Sequence, residues 1–174
     1  MSGRNEYLLF LENLSGKDRL DAGSVITLTT AQKKDATALA ELMIEAYRGT
    51  MDYDGESLVD AMDEVQAFLS GARGGNPLLE QSRLAFIGSQ LASACLICDW
   101  EQRGYPIVAY VMTHPDYKGS GMARLLLNSS LQALKDQSYL RVGAVITHGN
   151  LPSERLFCSL GFRQIDEENP DGNF

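Results

Sequence analysis

Three strand-like segments separated by short turns occupy the middle of the chain. Residues 83–87 and 91–98 flank a glycine-containing turn that is typical of a β-hairpin, and residues 107–113 follow a second turn. Strands joined by such short turns pair antiparallel, whereas parallel pairing requires a crossover connection of a dozen or more residues. The sequence therefore predicts a three-stranded antiparallel meander at the centre of the fold.

Helices are predicted on both sides of this meander. Apolar residues recur at the helical period within 39–47 and again within 58–69, and Gly71 is positioned to end the second helix. A strand is expected at 25–29, followed after the meander by a helix at 123–134, a strand at 140–147, a helix at 152–160 and a strand at 162–165. This order predicts an α/β (α+β) fold, a mixed and mostly antiparallel sheet with helices on both faces and a parallel crossover in its second half.

The length favours a single domain, because 174 residues with 44% hydrophobic and 22% charged residues are enough to bury one core. Residues 1–23 are expected to form an N-terminal extension with a short helix. Residues 24–165 are expected to form the domain, and residues 166–174 a polar, acidic tail.

Charge and cysteine content restrict the partners and the compartment. The net charge of -8 and pI near 4.7 disfavour a nucleic acid, which is itself a polyanion. No apolar segment approaches a membrane span, and no export signal is visible.

Three cysteines are too few for a disulfide framework, so the sequence predicts a reducing, cytoplasmic location. Cys95 and Cys98 would point to opposite faces of a strand, so we expect them, like Cys158, to be core residues and not metal ligands.

The segment 113–123 has the pattern of an anion-binding turn. A strand end is followed by Gly119 and Gly121 and then by a long helix, whose first turn carries unpaired N–H groups and a partial positive charge. Lys118 would add a full charge at the rim. The alternative is that the two glycines only form a tight strand-to-helix turn. The segment is not a Walker loop, because Met122-Ala123-Arg124 follows the glycines where Gly-Lys-Ser or Gly-Lys-Thr would be needed. It is not a dinucleotide fingerprint either, because Arg124 stands where the third glycine would be.

Two motifs in this half of the chain resemble the GNAT family, the Gcn5-related N-acetyltransferases. Lys118-Gly119-Ser120-Gly121-Met122-Ala123 is similar to the family's acyl-CoA motif, with Lys in place of Arg or Gln. The segment from Asn150 to Phe162 is similar to its second block, which ends in Gly-Phe. The resemblance covers residues 24–165 and implies a sheet with a splayed central strand pair, acetyl-CoA as co-substrate and no metal.

The resemblance also implies the residues that bind acetyl-CoA. The backbone of Met112 and Thr113 would pair with the pantetheine arm, and Asn150 would lie beside that arm or cap a helix. The pyrophosphate would be bound by the amides of Gly119, Ser120, Gly121, Met122 and Ala123.

Both of the family's usual proton-transfer groups are absent from their expected positions. Phe157 stands where many members have a tyrosine acid, and Ile107 stands where the histone-modifying branch has a glutamate base. Asp99 and Glu101, near the predicted exit of the second meander strand, are candidate catalytic substitutes. The alternative is that they are solvated charges of a hairpin.

An acidic run indicates the acceptor. It contains Asp52, Asp54, Glu56, Asp60, Asp63 and Glu64 without a basic residue, in the region that the resemblance places beside the acceptor cleft. A negative rim attracts a protonated amine, although a solvated helix face would give the same pattern.

The predicted function is therefore transfer of an acetyl group from acetyl-CoA to a primary amine, either a small cationic amine or a peptide or protein amine, by direct attack in a ternary complex. The alternative is a non-catalytic acyl-CoA-binding sensor. Family domains usually carry one more strand after the Gly-Phe segment, where this chain has the polar tail. The sheet is expected to end early or to be completed by a partner, and an exposed edge would favour a homodimer.

Overall fold

The computed structural model describes residues 3–14 and 25–166. The predicted tail from residue 167 onward lies outside these ranges, as do residues 15–24. The strands are β1 (Arg4–Phe10), β2 (Ile26–Thr30), β3 (Arg83–Ile87), β4 (Gln90–Trp100), β5 (Tyr105–Thr113), β6 (Arg141–Thr147) and β7 (Arg163–Ile165). The helices are α1 (Ala36–Tyr47), α2 (Leu58–Ser70), α3 (Met122–Asp136) and α4 (Leu151–Ser159).

The seven strands form one sheet in the order β2-β3-β4-β5-β6-β1-β7. Every neighbouring pair is antiparallel except β5 and β6, which are parallel. The predicted mixed, mostly antiparallel sheet and its parallel crossover are therefore confirmed.

Two apolar cores lie on opposite faces of this sheet. One contains Leu126, Leu131 and Leu134 of α3 together with residues of α4, and the other contains the buried residues of α1 and α2. Alternate residues of β4 enter alternate cores, with Cys95 in the first and Leu96 in the second, as the two-residue period of a strand requires. Among the described helices, none has the length and apolar character needed to cross a bilayer.

The N-terminal segment is a strand, so the expectation of a short leading helix was wrong. β1 lies between β6 and β7, with Tyr7 and Leu9 in the α3–α4 core and Leu8 packed on the other face against Tyr105 and Ile165. In a short strand that is buried on both faces, apolar residues do not alternate with polar ones. Periodicity alone therefore does not distinguish such a strand from a buried helix.

β1 also bears on the expectation that the sheet would end early or be completed by a partner. It pairs antiparallel with β6 over its whole length and with β7 from Glu6 to Leu8. The chain's own N-terminal strand therefore adds an antiparallel strand beside β7, in the region where a further C-terminal strand was expected to be missing. Within the described residues, this position needs no partner chain.

Candidate active site

The parallel strands β5 and β6 separate and open a cleft. They pair only at Ile107 with Gly143 and at Val108 with Ala144, although both strands continue for several residues. The cleft has a volume of about 1190 Å³ and lies between this opening and helices α1 and α2. It is lined by residues of β5 and β6, by acids of the α1–α2 region and by Phe157 of α4.

A β-bulge in β5 lies at the point of separation. Leu96 of β4 pairs with Tyr110 and Ile97 pairs with Val108, which leaves Ala109 without a cross-strand partner. Val108 enters the α3–α4 core, whereas both Ala109 and Tyr110 pack on the α1–α2 side. The bulge therefore turns two consecutive residues toward the same side and interrupts the regular backbone ladder beside the cleft.

The turn from β5 into α3 has the geometry expected of an anion cradle. Gly119 and Gly121 have φ angles of +79° and +87°, in the left-handed region that favours glycine. Gly121 is the N-cap of α3, and no side chain caps the first turn. A Cβ at Gly119 would meet no atom within 4 Å, so the approach is open. The N–H groups of Met122 and Ala123 belong to the helix turn that lacks intrahelical acceptors.

Lys118 and the end of β5 connect this turn to the rest of the fold. The Lys118 ammonium donates a hydrogen bond of 2.8 Å to the carbonyl of Ala46, the penultimate residue of α1, so the charge predicted at the rim is engaged with a helix end. Ser93 of β4 donates to the carbonyl of Met112 at 2.7 Å, and its hydroxyl lies 2.9 Å from that of Thr113. Met112 is buried, which fixes the final residues of β5.

Asn150 has two partners. Its Oδ1 accepts a hydrogen bond from the backbone N–H of Ser153 at 3.2 Å, so it caps α4 as predicted. Its Nδ2 donates to Oδ2 of Asp52 at 2.7 Å. This second contact ties the loop between α1 and α2 to the start of α4, across one end of the cleft.

The acidic run borders the cleft, but several of its members also have local structural roles. All of the run except Asp54 lines the cleft. Asp60 accepts from the N–H and hydroxyl of Ser57 in a capping box at the start of α2, and these bonds lower the pKa of Asp60. Glu56 accepts from the N–H of Asp54 at 2.9 Å. Asp60 and Glu56 therefore both line the cleft and stabilise the local backbone, so a negative rim and a structural role coincide at these two carboxylates.

Asp99 and Glu101, the candidate catalytic acids, are not among the residues that line the cleft. β4 continues to Trp100, two residues beyond the predicted strand end, so Asp99 lies within the strand. Its N–H donates to the carbonyl of Asn76 at 2.9 Å, because the loop after α2 packs on this end of β4. Glu101 is exposed in the following turn. The hairpin interpretation fits both residues better than the catalytic one.

A tyrosine and a glutamate occupy the cleft where sequence reasoning had identified no proton-transfer pair. The hydroxyl of Tyr110 donates to Oε1 of Glu64, and Arg73 pairs with Oε2 of the same carboxylate. The Tyr110 ring also packs edge to face on Phe68 at 5.7 Å. Glu64 was predicted only as one member of the acidic run. Its separation of 46 residues from Tyr110 leaves no local pattern that could reveal the pair.

The cysteines follow the prediction in two of three cases. Cys95 is buried in the α3–α4 core, Cys98 packs against the opposite core, and burial raises the pKa of these thiols to about 12 and about 11. Cys158 is exposed on α4, so its expected core position was wrong. In the described ranges, no group of three or more His, Cys, Asp or Glu side chains is arranged to hold a metal ion.

The sequence of the chain is similar to a known protein family and to a characterised relative. Residues 88–169 match the family model described as FR47-like protein. The L-amino acid N-acyltransferase MnaT of Escherichia coli is 26% identical over 140 residues, covering 79% of each chain.

Solved structures show the same fold at low sequence identity. A GCN5-related N-acetyltransferase from Sphaerobacter thermophilus superposes with a TM-score of 0.70 and 17% identity over 93% of this chain, which spans about half (48%) of that protein. The putative acetyltransferase yncA from Salmonella typhimurium, solved with its cofactor acetyl-CoA, superposes with a TM-score of 0.62 and 22% identity over 79% of each chain. These findings confirm the resemblance to the GNAT family: the chain has the GNAT fold, and residues 88–169 carry the FR47-like sequence pattern.

Proposed function

We propose that this protein transfers an acetyl group from acetyl-CoA to a primary amine. The observation that carries the proposal is the combination of a strand that separates from its parallel neighbour and an uncapped, glycine-bearing helix start at the end of that same strand. The first offers unpaired backbone groups beside an open cleft. The second offers N–H groups to a diphosphate.

Acetyl-CoA would be held along β5 and the turn that follows it. The backbone of Met112 and Thr113 would pair with the pantetheine arm like an added strand. The amides from Gly119 to Ala123 would bind the pyrophosphate. Asn150 already uses its side chain to cap α4 and to hold Asp52, so its contribution beside the arm would be made within that contact. Lys118 supports the turn through α1.

The acceptor would enter from the α1–α2 side of the cleft, where the carboxylates lie. Their negative field favours a protonated amine. Arg4 of β1 and Arg73 also line the cleft, so it has cationic as well as anionic groups. That pattern is compatible with an amino-acid acceptor, which MnaT has by its name.

Direct attack of an amine on the thioester requires the protein to position the two reactants and involves no covalent acyl-enzyme intermediate. Bound acetyl-CoA supplies an activated thioester carbonyl. Backbone N–H groups of β5 near the bulge at Ala109 would stabilise the oxyanion that forms when an amine attacks this carbonyl. A ternary complex would accelerate the reaction further by holding the amine and the thioester carbonyl in the orientation needed for attack.

Calorimetric titration of acetyl-CoA tests the binding half of this proposal. Gly121→Asp places a side chain and a negative charge in the cradle, and we expect it to weaken binding at least ~10-fold, or ~1.4 kcal/mol. Gly104→Asp is the matched control, because Gly104 shares the positive φ (+69°) and lies at the opposite end of β5, where a Cβ would meet no atom within 4 Å. Failure of the folded wild-type protein to bind acetyl-CoA would refute the proposal. Binding without turnover of any amine would favour the sensor alternative.

A further inference from the structure

Tyr110 and Glu64 form a hydrogen-bonded pair inside the cleft. The phenol hydroxyl donates to one carboxylate oxygen of Glu64, and Arg73 engages the other. The Glu64 side chain is 26% exposed and that of Arg73 is 59% exposed, so the chain of contacts runs from the cleft wall to solvent. The partly exposed Glu64 carboxylate can accept a proton from Tyr110 and release it to solvent, whereas the Arg73 guanidinium has no acceptor and only holds the carboxylate in place.

The bulge determines where this pair lies. Because Ala109 is the extra residue of β5, Tyr110 follows it on the α1–α2 side, just beyond the last pairing of β5 with β6 at Val108. The Tyr110 hydroxyl therefore lies in the acceptor half of the cleft and next to the backbone segment that the proposed function assigns to the thioester carbonyl.

No ionisable group occupies the two positions at which the resemblance places an acid and a base. Phe157 lines the cleft with an aromatic ring that packs on Phe162 at 5.0 Å, and Ile107 lines it with an aliphatic side chain. Neither His114 nor His148 lines it. The proton that an ammonium acceptor must lose before it can attack needs another recipient.

Resting on the proposed function, we propose that Tyr110 and Glu64 together are the general base of the transfer. The Tyr110 oxygen accepts a proton from the acceptor's ammonium as its own proton passes to Glu64, which releases it to solvent. The neutral amine then forms the carbon–nitrogen bond to the acetyl carbon. The carbon–sulfur bond breaks, and a second amine proton reaches the departing thiolate through water. The sum is one amide, one free thiol and one proton.

The surroundings of Tyr110 keep its hydroxyl protonated in the resting state. Burial is the largest effect and raises the pKa of Tyr110; nearby Tyr47 and Cys98 raise it further, while Arg73 and Arg4 lower it. The titratable and charged groups that face the phenol are Glu64 of α2, Arg73 after α2, Tyr47 of α1, Cys98 of β4 and Arg4 of β1. A protonated phenol that donates to a carboxylate is the starting state the relay needs.

Two conservative variants test the assignment. Tyr110→Phe keeps the ring contact with Phe68 and removes only the hydroxyl, and Glu64→Gln keeps the side-chain size. Tyr53→Phe and Glu41→Gln are matched controls, because Tyr53 lines the cleft and Glu41 is an exposed carboxylate of α1 that does not line it. The Tyr53 hydroxyl donates to the carbonyl of Glu56, away from the pair. Acetyl-CoA, the L-amino acids, spermidine and a lysine-containing peptide serve as probes, and kcat and KM are measured for each amine that the wild type acetylates.

The relay predicts that Tyr110→Phe and Glu64→Gln lower kcat ~100-fold or more, with acetyl-CoA affinity unchanged and the controls near wild type. It also predicts a changed pH profile. Without a base, kcat/KM should rise about tenfold per pH unit up to the pKa of the acceptor amine, because only amine that is already neutral reacts.

Two results would overturn the assignment in distinguishable ways. If the wild type is active and both variants keep its rate and pH profile, the relay is wrong while the proposed function stands. If the wild type acetylates none of the probes, the proposed function falls and the relay with it.

Discussion

Replacing Leu9 with alanine tests whether the N-terminal strand belongs to the core of the domain. The Leu9 side chain is 1% exposed in the α3–α4 core, and one of its methyl carbons would lie 3.2 Å from a Cβ built on Gly161. Truncating a fully buried leucine loses both its transfer free energy and the contacts around the cavity left behind, typically ~2–5 kcal/mol. For a domain of this size, a loss of ~3 kcal/mol lowers Tm by roughly 6–12 °C.

The assay is urea unfolding followed by circular dichroism, with Leu140→Ala as the matched control. Leu140 is 80% exposed, so the same truncation there should change the free energy of unfolding by less than ~0.5 kcal/mol. An extension that folds outside the domain would give equal, small effects at both positions. That equality would refute the placement of β1 inside the sheet.

Substitutions at two glycines, thiol labelling and the pH dependence of stability test the packing around the site. Gly75→Ala should destabilise the fold by ~1–3 kcal/mol in the same unfolding assay, because the new Cβ would lie 1.8 Å from the carbonyl oxygen of Asp99. Gly3→Ala is the control, because a Cβ there would meet nothing within 4 Å. Equal stability of the two variants would contradict the packing of the loop after α2 on β4. At pH 8, Ellman's reagent should label Cys158 rapidly and Cys95 only after unfolding. Burial raises the pKa of Cys95 from 9.0 to about 12, so its contribution to stability should be complete below pH 9 and lost as the pH rises toward 12. A Cys95→Ala variant should lose this part of the pH dependence.

Local patterns predicted most of the secondary structure. The apolar period of α2 predicted most of its buried face, with Leu58 an exposed exception, and Gly71 has the left-handed conformation (φ +80°) expected of a helix end. The hairpins of the meander followed from their turns. These features depend on residues a few positions apart, which a single sequence displays directly.

The missed features depend on contacts between distant segments. The strand from Arg4 to Phe10 acquires its identity from pairing with β6, more than 130 residues later, and its own residues fit either a buried strand or a helix. The bulge at Ala109 depends on a register shift against β4. The pairing of Tyr110 with Glu64 depends in turn on that bulge and on the packing of α2.

The position of Asp99 and Glu101 outside the cleft was missed for a related reason. Asp99 was assigned to the cleft because its strand was expected to end at Cys98, but β4 pairs with β5 as far as Trp100, and the loop that carries Asn76 packs on Asp99. The glycine-bearing turn from Lys118 to Ala123, by contrast, is contiguous in sequence. Its glycine conformations could therefore be predicted without any long-range information.

The proposed function is the transfer of an acetyl group from acetyl-CoA to an amine. The most direct test is incubation with acetyl-CoA and the amine probes named above, with mass spectrometry of the products and parallel measurement of free CoA thiol. The account predicts at least one amine that gains a single acetyl group, with thiol released in equal amount and both lost in Gly121→Asp. Acetyl-CoA that binds to the folded protein and is recovered intact with every amine would contradict it.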